Sequence, residues 1–227
     1  MAKKTARSLL SLPLLKGLEH GEVEHLAAGA TEIPRSRGTV VFREGDVCTG
    51  LYFVFKGQVK LSLQTGRGQE RVLQLIGDGE SFGEAALFLG RRHLTTAEAI
   101  ADSALLHVTK EVILFEVSRN PEFASRVVRE LCRQLHERTL DLQSCTLLSG
   151  RQRVVSYLLA RLPQGVNGSA VDILLPAKKG IIASRLNLTQ EHFSRILHDL
   201  ATDALIEVYG STVRIPDVHR LRAEETL

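Results

Sequence analysis

The sequence predicts an α+β chain in three parts: a small antiparallel barrel or sandwich, one long helix, and a terminal domain centred on two helices joined by a tight turn. Three observations predict it. Short apolar runs broken by turn residues fill the stretch from about Thr39 to Thr109, and neither glycine nor proline follows Pro121 until Gly150. Beyond Gly150 the pattern becomes helix, strand, helix, helix, hairpin.

The gross numbers allow this plan. The 227 residues suit two domains of ordinary size, and 44% hydrophobic with 24% charged residues is the profile of a soluble globular protein. No apolar run approaches the ~20 residues that cross a bilayer, so no membrane partner is expected. The N-terminal MAKKTARSLLSLPLLKGLEH places basic residues before leucines, as a signal peptide does. Pro13, Lys16 and Gly17 interrupt its apolar stretch and no small-x-small cleavage site follows, so it reads as a short amphipathic helix of a cytoplasmic protein. Cys48, Cys132 and Cys145 have neither disulfide-framework nor zinc-ligand spacing, which indicates free thiols in a reducing compartment. A net charge of +3 is too small to identify a nucleic-acid partner, so the placement of the basic residues decides.

In the first part, TVVF, LYFVF, VKLSL, RVLQLI and ALLHV alternate with GD, KG, GRG, GDGE and FLG. Strands recurring every ~8–12 residues indicate a barrel or sandwich, and GRG at Gly66–Gly68 is a hairpin turn rather than a phosphate loop. In the second part, Val128, Leu131, Leu135, Leu142 and Cys145 fall at a/d-like spacing, with Arg138 in the seam. A long helix apolar along one narrow stripe packs on an equivalent helix or docks on its own barrel. The first of these implies a homodimer.

The third part holds the most informative segment, KKGIIASRLNLTQEHFSRILHDLATDALI. A first helix runs from about Lys179 to Leu186, with the small Ala183 at a close crossing and Asn187 suited to the left-handed position of a turn. Thr189 is the natural N-cap of the second helix, and Glu191 stands where the helix dipole favours a carboxylate. Phe193, Ile196, Leu197 and Leu200 form an apolar face, while Gln190, Glu191, Ser194, Arg195 and His198 occupy the other. Arg can donate two hydrogen bonds to guanine and Glu can accept from cytosine, so Gln190, Glu191, Ser194 and Arg195 are candidate base contacts on double-stranded DNA. Lys178, Lys179, Ser184, Arg185, Thr189 and His198 are candidate phosphate contacts. A plain surface helix with an i, i+4 Glu–Arg pair is the alternative. Against it, residues 151–195 carry Arg151, Arg153, Arg161, Lys178, Lys179, Arg185 and Arg195 but only Asp172 and Glu191 as acids, a basic stripe suited to phosphates.

Taken together, REGD, LYFVFKGQVKL, SFGEAALF, the long helix and LTQEHFSRIL resemble the CRP/FNR superfamily of bacterial transcription regulators over nearly the whole chain. The resemblance implies a cyclic-nucleotide-binding-like β-roll (1–117), a dimerisation helix (118–149) and a winged helix-turn-helix (150–227). It also implies a homodimer whose partners are DNA, RNA polymerase and a small-molecule effector. Glu191, Ser194 and Arg195 match the E-x-x-S-R of the FNR type, which implies half-sites close to TTGAT in an inverted repeat.

For the effector, the resemblance points to a pocket at Gly83, Glu84, Ala85, Leu94, Thr95 and Thr96. Leu94 and Thr95 stand where nucleotide-binding members carry Arg-Ser or Arg-Thr, which disfavours cyclic AMP, because an unpaired phosphate in a partly buried site is costly. A regulator gated there by a cyclic nucleotide or another anion is the alternative reading. No cysteine precedes Cys48, so the iron–sulfur cluster of some members is not expected. The stretches HLTTAEAI, RVVSYLL and LPAKKGIIASRLNLTQEHFSRILHDL are similar to the Dnr-like subgroup, which implies a nitric-oxide response with haem as the bound group. His136, His20 and His25 are the candidate metal ligands, with His93 and His107 as further histidines. No enzyme fingerprint such as G-x-S-x-G, H-E-x-x-H or a Walker A loop occurs, so catalysis is not expected.

Overall fold

The computed structural model describes residues 9, 12–16, 18–64, 66, 70–163 and 170–225. The chain divides into two compact units, Met1–His136 and Glu137–Leu227.

In the first unit a 3₁₀ turn at Pro13–Leu15 precedes helix α1 (His20–Ala28). Eight strands follow: β1 (Ala30–Arg35), β2 (Val40–Phe42), β3 (Gly50–Lys56), β4 (Val59–Gln64), β5 (Glu70–Ile76), β6 (Ser81–Phe82), β7 (Thr96–Ala99) and β8 (Ser103–Thr109). They form two four-stranded antiparallel sheets, in the orders β1-β8-β3-β6 and β2-β7-β4-β5. Phe42, Tyr52, Val54, Ile76, Phe82 and Leu105 fill one core. On the opposite side of β3, Leu51 and Phe53 join Leu15, Leu26, Ile113, Phe123 and Val127 in a second core under the helices. A strand buried on both faces reads as a continuous apolar run, and LYFVF is one.

Helix α2 (Glu84–Leu89) lies between two left-handed glycines, Gly83 (φ 102°) and Gly90 (φ 63°), which supply the backbone reversals at its ends. Helices α3 (Lys110–Arg119) and α4 (Pro121–Leu147) follow β8. Asn120 joins them, its side-chain oxygen accepting from the backbone N–H groups of Glu122 and Phe123.

The second unit contains α5 (Gly150–Leu159), β9 (Val171–Leu174), α6 (Lys179–Arg185), α7 (Gln190–Thr202), β10 (Glu207–Tyr209), β11 (Thr212–Ile215) and α8 (Val218–Ala223). Its sheet has the order β10-β11-β9, and one core gathers Val154, Leu158, Ile182, Phe193, Leu200, Val213 and Leu221. Ser149 caps α5 through a capping box with Gln152, and Asp217 caps α8.

Three features depart from the sequence reading. The first sheet begins with Ala30–Arg35, ahead of Thr39; Pro34 obscures this strand but is tolerated because β1 is an edge. The motif SFGEAALF hides helix α2 among turn signals, and α3 forms before the long helix starts. Helix α4 contributes residues to both units. The expected N-terminal helix and the Gly66–Gly68 turn lie partly outside the described residues.

Candidate nucleic-acid interface

The two-helix segment of the second unit folds as its residues dictate. Helix α6 buries Ile182 and Ala183, and the chain reverses at Asn187, whose φ of 59° is left-handed. The Leu188 N–H donates to the Ala183 carbonyl at 2.9 Å, closing the turn. The Thr189 hydroxyl then accepts from the His192 N–H at 3.2 Å and caps α7. At the far end Ala204 is also left-handed (φ 54°), and the Leu205 N–H reaches the Leu200 carbonyl at 3.0 Å. Both ends of α7 are therefore set by backbone geometry.

Within α7, Phe193, Ile196, Leu197 and Leu200 are at most 5% exposed and belong to the core. Gln190, Glu191, Ser194, Arg195 and His198 are exposed. Glu191, Ser194 and Arg195 stand at i, i+3 and i+4 and project together from the N-terminal half. No ion pair joins Glu191 to Arg195 among the described residues, so the pair expected of a plain surface helix is not made. The hairpin β10–β11 turns at Gly210 (φ 61°), with Tyr209 exposed and its hydroxyl donating to Glu207 at 2.8 Å.

Part of the expected basic stripe is engaged by partners within the fold. Arg151 binds Asp203 (2.7 Å) and Glu224 (2.9 Å), and the Arg161 guanidinium lies 3.5 Å over the Tyr157 ring. Arg185, expected at a phosphate, is half-buried and forks onto Asp141 with both contacts at 3.1 Å. Sequence spacing could not show this, since the partner lies 44 positions away. Lys178, Thr189 and His198 are exposed, while Lys179 and Ser184 are half-buried.

In the first unit, Gly83 and Glu84 adjoin the expected pocket. Glu84 is 6% exposed, and burial holds its carboxyl well above the ordinary range, opposed by hydrogen bonds from Ser81 and Gln134. The Gln134 amide of α4 donates to Glu84 at 3.4 Å, which joins this cassette to the long helix. Ala85 and Leu94 are exposed, Thr95 is half-buried, and the Thr96 hydroxyl accepts from the Glu44 N–H at 3.1 Å. The Arg92 guanidinium donates to the Gly45 carbonyl at 2.8 Å.

The candidate histidines have different surroundings. His20 is exposed beside Glu24 (3.2 Å), and His25 Nδ1 lies 2.7 Å from the buried Glu116 with its ring against Phe115. His93 stacks on Phe42 with ring centroids 3.6 Å apart, His107 contacts Thr49, and His136 is exposed. Among the described residues no three His, Cys, Asp or Glu side chains converge as metal ligands.

Along α4, Val128, Leu135 and Leu142 are exposed, while Leu131 packs against the core of the first unit. Arg138 pairs with Asp141 at 3.0 Å. No helix of the described residues is long and apolar enough to cross a membrane.

Residues 33–120 match the cyclic nucleotide-binding domain family, and residues 152–224 match the Crp-like helix-turn-helix domain family. The chain is 32% identical over 203 residues to the cyclic AMP receptor protein of Thermus thermophilus, covering 89% of this chain and 92% of that relative. It is similar to the solved structure of DNR from Pseudomonas aeruginosa, with TM-score 0.51, 28% identity and 96% of each chain covered. FixK2 from Bradyrhizobium japonicum shares the fold at TM-score 0.75 and 21% identity, over 86% of this chain and 97% of that one.

Proposed function

Because the chain belongs to the CRP/FNR family of DNA-binding transcription regulators, we propose that it acts as a homodimer on an FNR-like TTGAT inverted repeat under the control of a small effector in its β-roll. One observation carries the reading: Glu191, Ser194 and Arg195 stand together, exposed, on a helix whose reverse face is sealed in the core. Arg195 reads guanine, Glu191 accepts from cytosine, and Ser194 and Gln190 meet neighbouring bases. Lys178, Lys179, Ser184, Thr189 and His198 hold phosphates. Arg185 joins them when it leaves Asp141.

Two copies joined along Val128, Leu135 and Leu142 set their recognition helices ~34 Å apart, one turn of DNA, and the bound operator is presented to RNA polymerase. The effector acts at Glu84. A ligand that competes for this carboxyl releases Gln134, and with it the contact between cassette and long helix, so the population of binding-competent dimers shifts. No step is assigned to haem. A cyclic nucleotide is the second reading, supported by the family match over residues 33–120. Against it, Leu94 replaces the phosphate-neutralising arginine and is exposed.

The test is fluorescence anisotropy with a duplex carrying two TTGAT half-sites as an inverted repeat, compared with a scrambled duplex at the same salt concentration. Binding at least ~10³-fold tighter to the repeat is expected; equal binding to both overturns the assignment. Calorimetric titration with cyclic AMP separates the second reading.

A further inference from the structure

The second unit contains a cavity of about 550 Å³ walled by the last turns of α4, by α5 and by the end of α6. That volume lies in the range of small-molecule sites, roughly 300–1,000 Å³. Much of the wall is apolar, with Leu140, Leu147, Leu148 and Leu186 among its residues. Polar side chains interrupt it, among them Asp141, Arg153, Tyr157, Arg161 and Arg185. Arg153 and Tyr157 stand at i and i+4 on α5 and project from one side of the helix. Tyr157 is 7% exposed, and no described residue hydrogen-bonds its hydroxyl. The Arg153 Nε–H is likewise buried without an acceptor. Burial holds the Tyr157 hydroxyl above its ordinary pKa, so it remains a donor at neutral pH.

Acids on the wall are already engaged. Glu137 lies 4.0 Å from Arg138, Asp141 holds Arg138 and Arg185, and Glu225 accepts from the Ser156 hydroxyl at 2.7 Å. Among the described residues the wall thus presents two buried donors without acceptors beside apolar side chains, and an occupant would bring the acceptor. Buried donors without acceptors are rare because each forfeits the hydrogen bonds it had in water.

We propose that this cavity binds a small organic monoanion, a carboxylate on an apolar or aromatic body, whose oxygens accept from Arg153 Nε and Tyr157 Oη while the body lies against Leu140, Leu147 and Leu186. The site is separate from the Glu84 cassette and does not depend on the operator assignment. Its occupant sits beside the Asp141–Arg185 pair, which ties α6 to α4, so occupancy bears on how the helix-turn-helix is held.

Calorimetric titration of the full chain with 4-phenylbutyrate and with the neutral 4-phenylbutanol tests this. One carboxylate per chain is expected, with the alcohol about tenfold weaker or worse, and Arg153→Met and Tyr157→Phe each weakening the carboxylate about tenfold. Ligand-free Tyr157→Phe is expected to keep or raise its Tm, because it removes a buried hydroxyl that no described residue satisfies. Absence of phenylbutyrate binding, equal binding of the alcohol, or unchanged affinity in both variants overturns the proposal.

Discussion

Single residues decide how this surface works, and some announce themselves in the sequence while others do not. Asn187 and Thr189 were legible because a left-handed turn and a helix cap are local chemistry. The engagement of Arg151, Arg161 and Arg185 was not, since each finds a partner set by the fold. Arg195 remains exposed and is expected to behave differently from Lys178. Arg195→Ala should cost about 1–3 kcal/mol on the repeat and relax discrimination at one guanine. Lys178→Ala should weaken all sequences alike and lower the salt slope by about 1. Anisotropy titrations across salt and base substitutions check both, and an equal loss for Arg195→Ala on specific and random DNA removes its assigned role. Glu84 gives a pH signature. Its folded-state pKa is raised by burial, so its contribution is complete below the unfolded value and is lost as pH rises through the folded value. Glu84→Gln, which stays neutral, should therefore gain stability on the parent as pH rises from about 4, the ordinary carboxylate value, toward neutral. Denaturant midpoints measured at both ends decide this, and a pH-independent difference refutes it.

At the scale of elements, period and punctuation foretold most of the plan. The glycine-free run after Pro121 became a helix of 27 residues, and LYFVF became the strand buried on both faces. What stayed hidden was short or masked by a breaker residue, as with β1 around Pro34 and α2 between its two glycines. One element carries avoidable strain. Ala204 adopts φ 54° just past α7, where glycine is the usual residue, and its side chain is exposed. The left-handed conformation costs alanine roughly 1–2 kcal/mol, partly offset by the greater unfolded-state entropy of glycine. Ala204→Gly should thus stabilise the second unit by about 0.5–1 kcal/mol. Thermal unfolding measures it, and a lowered Tm contradicts it.

For the whole molecule, the sequence showed three parts in the right order, but not that α4 contributes residues to both units. Nor could composition show that Arg151, Arg161 and Arg185 meet partners within the fold, because a local charge count names no partners. The exposed stripe on α4 carries the prediction at this scale. Leu135→Glu combined with Leu142→Glu places charges along the proposed dimer seam, and like charges facing each other there oppose association. Sedimentation should show a monomer with a folded helix-turn-helix and little affinity for the inverted repeat. A dimer that still binds the repeat discards the seam.

Asn187 and Ala204 bracket α7 with two left-handed residues, and its inward face is locked by Phe193, Ile196, Leu197 and Leu200. The outward positions 190, 191, 194, 195 and 198 can therefore be rewritten without shifting the scaffold beneath them. On the proposed reading the segment is a replaceable reading head, and exchanging Gln190, Glu191, Ser194 and Arg195 should change operator preference while the fold beneath is left untouched.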